Sequence, residues 1–116
     1  YAGLFPTWLC PEQVRVIPIS EKFHDYASKV ETALKENGIR CSVDQRSEKM
    51  GYKIREARLN RVPYMLVVGA KEEEENKVSV RSRYIGDEGM QELNGFITFI
   101  KDEIQKKTIR KIEAEN

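Results

Sequence analysis

"VPYMLVVGAKEEEENKVSVRSR", residues 62–83, holds two hydrophobic patterns that belong to two different kinds of strand. From Tyr64 to Val68 the run is apolar throughout, as expected of a strand covered on both faces. From Lys77 to Arg83 the pattern alternates, with Val78 and Val80 on one side and Lys77, Ser79, Arg81 and Arg83 on the other. The "AKEEEEN" between them reads as a turn, too short for a crossover, so the two strands must pair antiparallel.

Upstream, the periodicity predicts two β-α units. "VRVIPI", residues 14–19, is β-branched and nearly continuous in apolar character. Ser20 is placed to cap a helix whose Phe23, Tyr26, Ala27, Val30, Ala33 and Leu34 recur at three-to-four spacing, with Asn37-Gly38 as the stop. "IRCSVD" alternates as a short strand. A second helix runs from Met50 to about Asn60, with Met50, Ile54 and Ala57 on its inner face. Downstream, "YIGDEGMQEL" holds one more short edge strand, and Asn94 is placed to cap a last helix with Phe96, Ile97, Ile100 and Ile104 inward. The order is that of an α/β domain with a mixed sheet. Which faces the two early helices take depends on strand order, which periodicity does not fix.

With 116 residues, 40% apolar and 34% charged, the chain is expected to form one domain. No apolar run is long enough to cross a bilayer and no secretory leader is evident, so a cytoplasmic protein with no membrane partner is expected. Cys10, Cys41 and a lone His24 are too few and too scattered for a zinc site, and reduced, inert thiols are the expectation. The organisation expected is a connector over 1–13, rich in Leu4, Phe5, Trp8 and Leu9, a domain over 14–107 and a polar tail over 108–116.

Catalysis finds no footing, for the chain lacks a nucleophile elbow, a P-loop and a dinucleotide fingerprint. Binding has more to work with. Between Gln45 and Val62 six cations (Arg46, Lys49, Lys53, Arg55, Arg58, Arg61) face two carboxylates (Glu48, Glu56), a local excess of 6 − 2 = +4 on a chain of net charge +1. Arg81 and Arg83 project from one face of a strand, about 6.7 Å apart. Guanidinium forks held on a strand suit phosphate oxygens or a guanine edge. Of the acid run, Glu72 lies nearest the strand end and is the best placed to accept from a base; the rest reads as solvated turn. Mixed polarity of this kind suits unpaired RNA bases.

"RSEKMGYKIREARLNRVPYMLVVGAKE" followed by "KVSVRSR" resembles the C-terminal anticodon-binding domain of the threonyl-tRNA synthetases, and "YAGLFPTWLCPEQVRVIPI" resembles the junction leading into it. The resemblance implies a three-layer α/β/α fold with a mixed sheet of about five strands, one of them antiparallel. It implies recognition of the threonine tRNA anticodon, chiefly its middle guanine and third uracil, with RNA and not DNA as the expected partner. The family's base-contacting arginine falls on Arg81, its glutamate on Glu72 and the arginine of its "KIRE" helix on Arg55, with Ser47, Arg61 and Arg83 completing the expected RNA-binding set. Where the family usually has asparagine this chain has Ser47, which lacks the amide's paired donor and acceptor. No cofactor is implied for this domain. The ATP, magnesium and zinc of the parent ligase, and its homodimer contact, are implied for a preceding catalytic domain. Two other readings remain open: the same fold reused as a regulatory or protein-interaction module, and a small-molecule α/β domain.

Overall fold

The computed structural model describes residues 10, 12–45, 49–60, 62–82 and 86–105. Among them, five strands form one sheet: β1 (Val14–Pro18), β2 (Cys41–Val43), β3 (Tyr64–Val68), β4 (Lys77–Ser82) and β5 (Gly86–Glu92), in the order β2-β1-β3-β4-β5. β1 is parallel to both β2 and β3, whereas β4 pairs antiparallel with both β3 and β5. β4 is therefore the one strand that opposes the rest.

Strand order decides what periodicity left open. The chain steps from β1 outward to β2 through α1 (His24–Glu36), then back past β1 to β3 through α2 (Met50–Leu59). Two right-handed crossovers in opposite directions place their helices on opposite faces. On one face, Val14, Val16, Tyr64, Leu66, Val68, Val78 and Val80 pack with residues of α1 and of α4 (Leu93–Gln105) into the larger core. On the other, Ile17 and Met65 meet Ala57, Val62, Met50 and Ile54 beneath α2. Three layers result.

Four local expectations change. "AKEEEE" is not a turn but a short helix, α3 (Ala70–Glu75), which Gly69 opens in extended conformation and Asn76 closes in the left-handed region at φ 58°. Glu72 makes the difference: its Oε1 accepts the Gly69 backbone N–H at 2.8 Å, the return half of a capping box. Ser20 opens a single 3₁₀ turn (Glu21–Phe23) rather than α1, and its side chain makes no capping bond. Asn94 lies inside α4, whose first residue Leu93 follows β5 directly. β5 is longer than its composition suggests, because Gly86 (φ 96°) and Gly89 (φ 85°) supply backbone conformations that side chains disfavour.

The end of the sheet opposite β5 is tied by charge. Glu12 accepts from Arg15 Nε at 2.8 Å and Nη2 at 2.9 Å, and from the Ser42 hydroxyl at 2.7 Å, joining the entry segment, β1 and β2. Burial alone would push the Glu12 carboxyl up, but the hydrogen bonds from Arg15 and Ser42 and the Arg15 charge outweigh it and hold the group below its ordinary value of 4.5. A depressed carboxylate contributes stability that is complete above its unfolded value and is lost as pH falls through its folded one. Glu12→Gln should therefore lower the denaturation free energy by about 1 kcal/mol at pH 7. The difference between variant and parent should shrink as pH falls below 4.5, as urea titrations at several pH values would measure.

Candidate nucleic-acid interface

The α2 face of the sheet is only partly covered. Along β3, Tyr64, Met65, Leu66 and Val68 are buried, and Val67 alone is partly exposed. Val67 lies opposite Ser79 on β4, and Ser79 lies opposite Met90 on β5. Arg81, two residues along β4 from Ser79, is on the same face, between Met65 and Asp87. Among the described residues, a partly exposed, open strip thus begins at Val67 and runs across β4 to β5.

Glu72 enters this strip from α3. Its Oε2 accepts the Ser79 hydroxyl at 2.9 Å while Oε1 holds the Gly69 N–H, so both oxygens are fixed by donors from different elements. Glu72, held at Ser79, and Arg81 are brought to one face of the sheet, with Val80 between Ser79 and Arg81 along β4. The register slips between Val80 and Arg81: Val80 faces Gly89, but Arg81 faces Asp87, leaving Glu88 as an extra residue in β5. A bulge there turns the strand next to Arg81, and the Gly89 N–H closes it onto Asp87 Oδ1 at 2.8 Å.

The cationic helix is less uniform than its sequence. Lys53, counted among the six cations, is 2% exposed, and its ammonium points inward at the carbonyl oxygens of Pro18 (3.5 Å) and Asp44 (3.4 Å). These long contacts place a positive charge at the carboxyl ends of β1 and β2. Glu56 and Arg15 line the same groove, so the Lys53–Glu56 flank of α2 lies over β1 and β2. At 100° per residue, Arg55 and Arg58 fall on the opposite flank, toward the open strip, and both are exposed. Tyr52 and Leu59, 49% and 74% exposed, share the outer side with Arg55.

Of the residues expected to bind RNA, the structure brings Glu72 and Arg81 onto one face and sets Arg55 at the rim of α2. Ser47, Arg61 and Arg83 lie outside the described residues. Ser79 was missed. Its alternation with Arg81 was legible, but its bond to Glu72 depends on a helix that the acid run concealed. Among the described residues no cluster of three His, Cys, Asp or Glu could hold a metal ion. Burial pushes the Cys41 thiol up to about 11, with Glu31 adding to the rise, which leaves little thiolate at neutral pH. No described helix is long and apolar enough to cross a membrane.

A profile of the anticodon binding domain family matches residues 13–103, most of the chain and all five strands. The chain belongs to this family. A threonine–tRNA ligase of Clostridium botulinum (strain Hall) is 58% identical over 108 residues, covering 93% of this chain and 17% of that protein. The corresponding ligase of Caldanaerobacter subterraneus is 57% identical over 109 residues, again 17% of its length. The chain therefore spans about a sixth of the curated relatives it matches. Among solved structures, the RNA-binding domain of threonyl-tRNA synthetase from Cryptosporidium parvum superposes with a TM-score of 0.81 at 37% identity, over 87% of this chain and 26% of that one. Prolyl-tRNA synthetase of the same organism reaches 0.79 at 24% identity over 89% and 22% of the two chains, a likeness of fold alone.

Within this anticodon-binding domain, a side chain at Gly69 is opposed by its neighbours and not by φ, since the backbone there is extended. A Cβ there would push aside Ile19 Cδ1, the end of a half-exposed side chain, and press at 3.2 Å on Glu72 Oε1, which the Gly69 N–H holds in place. Gly51, exposed in the first turn of α2, meets nothing within 4 Å. Gly69→Ala should cost roughly 1 kcal/mol of stability, whereas Gly51→Ala should gain roughly 0.5–1 kcal/mol through helix propensity. Chemical denaturation of both variants beside the parent measures the contrast.

Proposed function

We propose that the chain is the anticodon-reading part of a threonine–tRNA ligase and binds the anticodon loop of the threonine tRNA. What supports this reading most is the high identity to threonine–tRNA ligases across nearly the whole chain, together with the open strip that carries Glu72 and Arg81 on one face. Guanine offers donors at N1 and N2 and acceptors at O6 and N7. A carboxylate fixed near a guanidinium on one face matches that distribution, and the middle guanine of the anticodon is the base assigned to it. Ser47, Arg55, Arg61 and Arg83 extend the proposed contact to neighbouring bases and phosphates.

The domain's part in the reaction is positional. Holding the anticodon loop orients the tRNA so that its distant acceptor end reaches the catalytic part of the longer protein, where ATP, magnesium and zinc belong in this reading. That part would also form the homodimer contact. Residues 1–13 serve as its connector, 14–107 as the RNA-binding unit and 108–116 as a polar tail, in a cytoplasmic enzyme.

Titration of the chain with anticodon stem-loops tests the reading. The threonine loop should bind more tightly than one whose middle guanine is replaced; indifference would leave a fold of this family used for protein contacts. Arg81→Ala should weaken binding by roughly 1–3 kcal/mol and relax the choice of base. A uniform loss across all loops would reassign Arg81 to phosphate.

A further inference from the structure

Ser79 stands at the centre of the open strip and has a committed proton. Its Oγ lies 2.9 Å from Glu72 Oε2. An ionised carboxylate can only accept, so the hydroxyl must be the donor, and the serine oxygen keeps its lone pairs alone. Glu72 is in turn held at its other oxygen by the Gly69 N–H at 2.8 Å, and it is 9% exposed. With one donor from the start of α3 and one from β4, the carboxylate cannot turn without breaking a bond. Removing the Ser79 hydroxyl releases one of the two.

We infer that Ser79 is a positioning residue for base discrimination: it pins Glu72 and makes the Glu72–Ser79 pair an acceptor-only patch on the same sheet face as the donor-only side chain of Arg81. The inference rests on the anticodon reading proposed above and deepens it. An acceptor-only patch favours a base edge with two adjacent donors, which guanine has in its N1–H and its 2-amino group. Inosine keeps the N1–H and the carbonyl but lacks the 2-amino group. It therefore separates a pair-wise acceptor patch from a single acceptor. Uracil has one ring N–H between two carbonyls, and the carbonyls would face lone pairs.

The experiment is a fluorescence titration of the chain with two anticodon stem-loops that differ only in guanosine or inosine at the middle position. Parent, Ser79→Ala and Ser79→Thr proteins are compared, each with its thermal midpoint and the salt dependence of binding. The parent should prefer guanosine. Ser79→Ala should lose about three- to tenfold of that preference, while the salt slope, which counts phosphates neutralised, stays unchanged. Ser79→Thr, which retains the donor, should keep the preference. An unchanged guanosine-to-inosine ratio in Ser79→Ala overturns the inference and leaves the anticodon reading standing. An equal loss for both RNAs also overturns it, since that is what a merely structural serine would produce. A parent that binds guanosine and inosine alike also overturns the inference, and if in the titration proposed above it binds the loop with a replaced middle base equally well, the anticodon reading fails with it.

Discussion

The sheet has more surface on one side than its helices can cover. Five strands at about 4.8 Å spacing make a sheet about 19 Å wide between its outer strands, and a helix with its side chains is about 10–12 Å across. α1 and α4 together span one face. The other has α2, whose contacts are with Ile17 on β1 and Met65 on β3. One helix hides about two strands, so α2 leaves β4 and β5 beyond its cover, and among the described residues α3 reaches β4 on that face through Glu72. The partly exposed Val67 between buried neighbours marks where the cover stops. Polar residues at Ser79 and Arg81 follow from that geometry as much as from function, because those positions never enter a core.

A bare sheet face becomes a reading surface only when its polar groups are held still. A flexible glutamate on a turn would meet a base in many orientations and lose most of the binding free energy in being ordered. The helix α3 removes that freedom. Its first turn is closed by the carboxylate that lies over the strip, so the bond that starts the helix and the bond that aims Glu72 are one and the same. A run of four like charges repels itself at helical spacing. The stabilising bonds at Gly69 and Ser79 are set against that repulsion, and Glu72 is the member of the run that withdraws from solvent.

Much of the fold could be seen in the sequence wherever burial was one-sided or complete. The continuous apolar run of β3, the alternation of β4 and the three-to-four spacing of α1, α2 and α4 each follow from where water is excluded, and all five appear at the expected places. The misplaced features are those set by hydrogen bonds instead of burial. α3 is polar apart from Ala70, so no hydrophobic period betrays it; its signal was Gly69 followed three residues later by Glu72, a cap pattern with glycine in place of serine. Asn94 has the right chemistry for a cap, but β5 runs into α4 without a loop, and the Leu93 N–H is met by the Asn76 carbonyl at 3.5 Å. The candidate site was half visible for the same reason. Arg81 sits on an alternating strand and could be placed, whereas Ser79 gains its meaning from α3.

Charge counting along the chain overstated the surface it describes. One of the six cations between Gln45 and Val62 turns its ammonium inward to the carbonyls of Pro18 and Asp44, where it ties the carboxyl ends of two strands to α2. What it contributes there is the placement of a helix. With a net charge of +1 the chain has little long-range attraction for a polyanion, so the reading proposed for it rests on a few groups acting at short range. Geometry then matters more than the number of cations. Arg81 on the paired backbone of β4, next to a bulge, has fewer directions open to it than Arg55 on the exposed rim of α2. A strand arginine is suited to choosing between bases, and a helix-rim arginine to holding the phosphates that flank them.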